Sequence, residues 1–260
     1  MNMFCFQCSK CFVRKTSRDS SSQSTETAGG TGCTVKGICG KEPDVAKLQD
    51  LLVWILKGAS YWAVKGRLLG AEDEKTDHFI AEGLFTTITN VNFDPEDIER
   101  MIRKAIKVRD EMKDKVNKKL GKTQVEKGVP EAAVWNVEGG IDVLELKGSE
   151  VGVLSTKDED VRSLRELMTY GLKGVAAYTD HAYILKKTND EIFKFIEEGL
   201  TATLDDSKTV DELIGLVMKT GEIAVKAMAL IDEANTTAYG NPEITEVYTG
   251  TVEGPGILVI

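Results

Sequence analysis

At 260 residues, with a hydrophobic fraction of 42%, the chain has the length of one or two domains and the apolar content of an ordinary globular protein. A formal net charge of -9 argues against nucleic acid or an anionic membrane as the main partner, because both would repel it. No apolar run approaches membrane-spanning length and no signal peptide opens the chain, so the expected setting is the cytoplasm, where thiols stay reduced.

The chain opens on Cys5-Phe6-Gln7-Cys8, answered by Cys33-Thr34-Val35-Lys36-Gly37-Ile38-Cys39. Four thiolates in two close pairs, threaded with Gly29, Gly30, Gly32, Gly37 and Gly40, suit an iron–sulfur cluster. A cubane needs four soft ligands and a backbone loose enough to wrap it. Structural zinc also takes four sulfurs, but zinc ribbons usually repeat a short C-x2-C on both sides, whereas five residues separate the second pair here. A disulfide or unligated reading ranks last in a reducing compartment.

Between the pairs, residues 10–25 are basic and then serine-rich, with too little apolar content to pack, which predicts a mobile loop. Its Cys11 makes a second C-x2-C with Cys8 and competes as a ligand, although an exposed free thiol is the favoured reading.

Beyond Cys39 the pattern turns helical. Val45, Leu48, Leu52, Ile55, Ala59 and Trp62 fall at three- and four-residue steps on one helical stripe, and the stripe recurs 116 residues later at Val161, Leu164, Met168, Gly171, Val175 and Tyr178. Leu56-Lys57-Gly58 reappears as Leu172-Lys173-Gly174, and Phe79-Ile80-Ala81-Glu82-Gly83-Leu84 as Phe195-Ile196-Glu197-Glu198-Gly199-Leu200, at the same displacement. This is an internal duplication. Asp94 with Pro95, and the capping box of Thr209 with Glu212, each start a third helix. The expected helices are 45–69, 77–90 and 95–118 in the first copy, and 161–186, 189–203 and 210–234 in the second.

The fold class is therefore mainly α: two duplicated three-helix bundles behind a cysteine-rich loop, ending at the first strand of an α/β domain. In residue numbers this is a cluster-binding segment over 1–44, bundles over 45–120 and 161–238, a connector over 121–160 and an α/β start over 239–260. The connector is expected to hold two short strands, at Ala132-Ala133-Val134-Trp135 and Val151-Gly152-Val153-Leu154. The run Ile257-Leu258-Val259-Ile260 reads as a buried strand. His78, beside Asp77 at a polar helix start, reads as solvated or capping, and His181 as packed and hydrogen-bonded.

Phe4-Cys5-Phe6-Gln7-Cys8 and the run from Glu26 through Lys41 resemble the amino terminus of the hybrid cluster proteins, also called prismane proteins or hydroxylamine reductases. The similarity continues through Leu48-Gln49-Asp50-Leu51-Leu52, Ser163-Leu164-Arg165-Glu166-Leu167 and Gly240-Asn241-Pro242-Glu243-Ile244-Thr245. The resemblance implies an ordinary cluster, usually 4Fe-4S, on Cys5, Cys8, Cys33 and Cys39, loaded by an electron donor protein. It also implies a hybrid 4Fe-2O-2S cluster held by later domains, where hydroxylamine is reduced to ammonia, with a link to nitric oxide handling. None of that second site's ligands falls within these residues, so no catalytic residue is assigned here. Family members have a much shorter loop between Cys8 and Cys33, so residues 10–25 read as an insertion. On this reading the chain holds the electron relay of a truncated protein and is inactive alone; the rival is a noncatalytic metal-binding helical module.

Overall fold

The structure is a computed structural model that describes residues 40–88, 91–121, 128–246 and 250. Among these it is mainly helical, with seven α-helices and no strand. In chain order they are α1 (Pro43–Leu68), α2 (Glu74–Thr86), α3 (Pro95–Leu120), α4 (Ile141–Val151), α5 (Glu159–Ile184), α6 (Asp190–Ala202) and α7 (Val210–Tyr239).

Local chemistry sets the helix ends. Pro43 starts α1, where its missing N–H costs nothing, and Asp44 faces the positive end of the helix dipole. The Asp94 carboxylate accepts from the backbone N–H groups of Glu96 and Asp97 at the start of α3, and Gly121 closes that helix in the left-handed region at φ 63°. Thr209 and Glu212 form the expected reciprocal capping box on α7.

The duplication is visible in three dimensions. From α1 to α5 and from α2 to α6 both helix ends move by the same 116 residues, giving lengths of 26 and 13 residues in each copy. Gly83 of α2 lies so close to Leu56 of α1 that a Cβ would stand 2.8 Å from its Cδ1, and Gly199 of α6 meets Leu172 of α5 in the same way at 2.9 Å. Thr87 Oγ1 donates to the Leu84 carbonyl after α2, as Thr203 Oγ1 does to Leu200 after α6. A repeated sequence has kept the same contacts, down to single methyl groups.

The two units do not stand apart. α2 packs more extensively on α5 than on α1, and α6 more extensively on α1 than on α5, so each copy's middle helix is seated against the other copy's first helix. One hydrophobic core consequently runs through both copies, from Leu48 and Leu52 to Met168, Leu172, Phe195 and Leu230. α1 is the central element. Beyond the single stripe read from sequence, Leu51, Val53, Leu56 and Ala63 are also buried, because α2, α3, α4 and α6 surround it.

The connector departs from expectation. Where two short strands were expected, residues 131–133 and 153–155 are single 3-10 turns and α4 lies between them. The reason is contact with α1 rather than pairing: a Cβ on Gly58 would stand 2.0 Å from the Ala132 carbonyl oxygen, and one on Gly148 2.2 Å from that of Lys47. Trp62 Nε1 donates to the Ala133 carbonyl at 2.8 Å and Arg109 Nη1 to that of Ala132 at 3.1 Å, which satisfies these buried groups without a sheet. The expected strand at 257–260 lies outside the described residues.

Candidate functional site

Cys5, Cys8, Cys33 and Cys39, with Cys11, lie outside the described residues, as does the segment 10–25. The scaffold begins immediately after them. Lys41 is buried and its Nζ donates to Gln49 Oε1, while Gln49 Nε2 donates to the Asn92 carbonyl at 2.9 Å. The chain leaving Cys39 is thus tied to the second turn of α1 and to the loop before α3.

From that point a seam of ionisable side chains runs between the copies. Asp50 and Lys57 stand seven residues apart on one face of α1, and their repeat equivalents on α5 are Glu166 and Lys173. The duplication has placed an acid and a lysine at matching positions of the two central helices. Lys173, only 2% exposed, donates to the Thr87 carbonyl at the end of α2 at 3.0 Å.

Burial decides the charge of these groups. It pushes the Asp50 carboxyl up to about 8, with the negative charge of Glu166 adding to the rise and Lys173, Lys41 and Lys57 opposing it. Glu166 is raised for the same first reason, against the pull of Lys57, Lys173, Arg162 and Arg165. Lys57 is lowered and Lys173 lowered well below the usual lysine range, both by burial first. All four groups move toward neutrality.

Asp50, Lys57 and Glu166 line a cavity of about 20 Å³ together with Val53, Trp54, Val151, Gly152 and Val153. Gly152 makes room for the acid, since a Cβ there would stand 2.8 Å from Asp50 Oδ2. Glu166 Oε2 is buried and accepts no hydrogen bond among the described residues.

A second charged cluster clasps the copies at the far end of α1. The Arg67 guanidinium donates to Asp77 Oδ2 at 2.6 Å, Asp190 Oδ1 at 2.5 Å and Glu197 Oε2 at 2.7 Å. Glu197 is pushed up to about 9 by burial, Arg67 opposing and Asp77 reinforcing the rise; Asp77 is itself raised by burial. Tyr183 is the repeat equivalent of Arg67, and it stacks on His78 with ring centroids 3.8 Å apart while His78 Nε2 lies 2.9 Å from Asp180 Oδ1. His78 is therefore only partly solvated and is no cap; from α2 it reaches across to α5. His181 is exposed, with its ring edge against Phe85 at 5.1 Å rather than packed and hydrogen-bonded as expected.

Sequence reading missed the seam. The signal was present, because Lys57 and Lys173 occupy matching positions inside the quoted Leu-Lys-Gly repeats, and a lysine at a packed helical position is informative. No group of three or more potential metal ligands occurs among the described residues, and no helix there is long and apolar enough to cross a membrane.

Comparison with known proteins places these features. A family described as Prismane/CO dehydrogenase matches residues 3–260. The chain belongs to the Prismane/CO dehydrogenase family. Among prismane relatives, a protein of Kosmotoga olearia named "Hydroxylamine reductase" is 60% identical over 262 residues, covering 100% of this chain and 44% of its own length. A protein of the same name from Thermosipho melanesiensis is 54% identical, covering 99% of this chain and 44% of its length. One from Acetivibrio thermocellus is 52% identical, covering 100% and 43% respectively. The chain spans less than half the length of these curated prismane relatives.

Proposed function

We propose that this chain is the electron-relay portion of a hydroxylamine reductase-type oxidoreductase, with Cys5, Cys8, Cys33 and Cys39 holding an iron–sulfur cluster of the 4Fe-4S kind. What carries the reading is 60% identity, across this whole chain, to a relative named hydroxylamine reductase. The donor set fits the group: four soft sulfurs in two close pairs amid glycines match a cubane, while hard oxygen-seeking cations are a poor match. When bound, the cluster supplies one-electron transfer.

The remaining roles follow from this chain's own residues. The Lys41–Gln49–Asn92 hydrogen bonds anchor the strand of chain leaving Cys39, so the ligand segment has a fixed point on α1. The interlocked copies over 45–120 and 161–238, joined by the connector 121–160, would carry the segment 1–44, and 239–260 would be the start of an α/β domain. An acidic surface, with a net charge of -9, suits a soluble cytoplasmic electron donor protein better than nucleic acid or an anionic membrane. Hydroxylamine or nitric oxide would be the substrate of the longer protein, at a hybrid 4Fe-2O-2S cluster that residues outside this chain would hold.

The test is anaerobic reconstitution followed by iron, sulfide and zinc analysis. Iron and sulfide in near-equal amounts, lost in Cys33→Ser, support the reading. One zinc without iron or sulfide overturns it in favour of a noncatalytic metal-binding module.

A further inference from the structure

We propose that Asp50 and Glu166, with a water molecule between them in the cavity beneath α4, form a half-buried proton-exchange site whose counter-charges are Lys57 and Lys173. The site goes beyond electron relay and does not depend on the cysteines.

Three observations carry it. First, the cavity of about 20 Å³ exceeds the roughly 10–15 Å³ that one water needs, and Asp50, Lys57 and Glu166 supply it with polar partners. Second, Glu166 Oε2 is buried without a hydrogen bond among the described residues, a state that costs free energy unless a donor reaches it. Third, the arrangement is duplicated: the same two positions of α1 and α5 supply the acid and the lysine, and Gly152 at the end of α4 leaves the space the Asp50 carboxyl occupies.

The charges that face the pair come from every side of the seam. Lys57, and Lys41 just ahead of α1, act on Asp50; Arg162, Arg165 and Lys173 of α5 act on Glu166, and Lys173 also on Asp50. The α4 side contributes Val151, Gly152 and Val153 to the lining, while its Lys147 Nζ lies over the Trp54 ring at 5.1 Å and donates to Glu131 and Glu150. The negative charge of Glu166 raises the proton affinity of Asp50, so the two carboxyls favour holding a proton over carrying two negative charges. In the exchange an O–H bond breaks on one carboxylic acid and a new one forms on the other carboxylate through the water; no electrons move. Reduction of hydroxylamine to ammonia and water consumes protons, so a proton store in the same chain as an electron relay would serve it, a use that rests on the reading above.

Carboxyl-carbon NMR titration of the purified 260-residue protein, with 13C-labelled aspartate and glutamate, tests the site directly. One aspartate should titrate near pH 8 and vanish in Asp50→Asn, and in Glu166→Gln its midpoint should fall. A water in slow exchange should show cross-relaxation to the methyls of Val53 or Val153. Should either variant unfold, sequential assignment of Asp50 in the unaltered protein gives its midpoint without substitution. An Asp50 midpoint in the ordinary carboxylate range, a midpoint indifferent to Glu166→Gln, or no slow water would each overturn the proposal. None of these readouts involves iron, so failure here leaves the relay reading standing, and failure of cluster assembly leaves this one standing.

Discussion

Arg67 of the first copy donates to Glu197 of the second at 2.7 Å, across 130 residues of sequence, and the same guanidinium holds Asp77 of its own copy. The carboxyl of Glu197 is 1% exposed, so this bond does not behave like a surface ion pair. It locks α6 onto α1 and explains how the duplicated halves fold as one core.

Removing the cation should therefore be costly. Arg67→Ala takes the donor away from the buried Glu197 and Asp77 carboxyls, while Asp190 stays solvated, and is expected to destabilise by about 1–3 kcal/mol in urea unfolding, the range for leaving a buried polar group unsatisfied. Glu197→Gln keeps a neutral acceptor where burial already holds the acid protonated up to about pH 9, and should cost much less. Equal losses for the two variants would mean that Glu197 is ionised and that its charge carries the clasp.

Gly58 and Gly174 occupy the same place in the repeat and should respond with opposite sign to the same change. A Cβ on Gly58 would lie 2.0 Å from the Ala132 carbonyl oxygen, so Gly58→Ala must push the connector off α1, at about 1–3 kcal/mol. At Gly174 nothing lies within 4 Å, and Gly174→Ala should stabilise the exposed face of α5 by about 0.5–1 kcal/mol through helix propensity. Thermal melts of the two variants decide it.

Asp50 should leave a signature in stability against pH. Its folded value, raised to about 8 from 3.8, means that the folded state binds the extra proton in that window. The stability this proton confers is complete below about pH 4 and is lost as pH rises through 8. Asp50→Asn should abolish that decline, so its advantage over the unaltered protein grows from pH 4 to 8, to the order of a few kcal/mol, and is constant above. Parallel stability curves for the two proteins would contradict the burial argument.

The cysteines divide by role. Cys11→Ala should leave the iron content unchanged, whereas Cys5→Ser, Cys8→Ser or Cys39→Ser should lower it as Cys33→Ser does. The reconstituted 260-residue chain should accept electrons from dithionite without reducing hydroxylamine above a cluster-free control, since the sequence offers no cysteine after Cys39 for a second cluster. Turnover that tracks the iron content would place an active site in the helical region.

Much of the frame was legible because it rests on short-range rules. The 116-residue repeat, the Asp94 and Thr209 caps and the apolar stripe of α1 are local patterns, and the helices start and stop within a few residues of where those patterns place them, except at the carboxyl end of α7, which runs on to Tyr239. The connector was misread because Ala132-Ala133 and Val151-Gly152-Val153 look β-like in isolation, while their conformation is set by packing against Gly58 and Asp50 far away in sequence. His78 was misread for the same reason, its ring partner Tyr183 being 105 residues away.

By itself, then, the sequence determined the helical content, the duplication, the family resemblance and a sulfur-rich donor set, all of which follow from residue type and spacing. Only the tertiary structure decided that each copy's middle helix rests on the other copy, that one arginine clasps both, and that Asp50, Lys57, Glu166 and Lys173 meet in one largely covered seam. Spacing can say which residues share a helix face, but what that face meets depends on how helices from distant parts of the chain dock. The proton affinity of Asp50 and Glu166 comes from the water and charge that docking removes or brings near, and no stretch of sequence carries that quantity on its own.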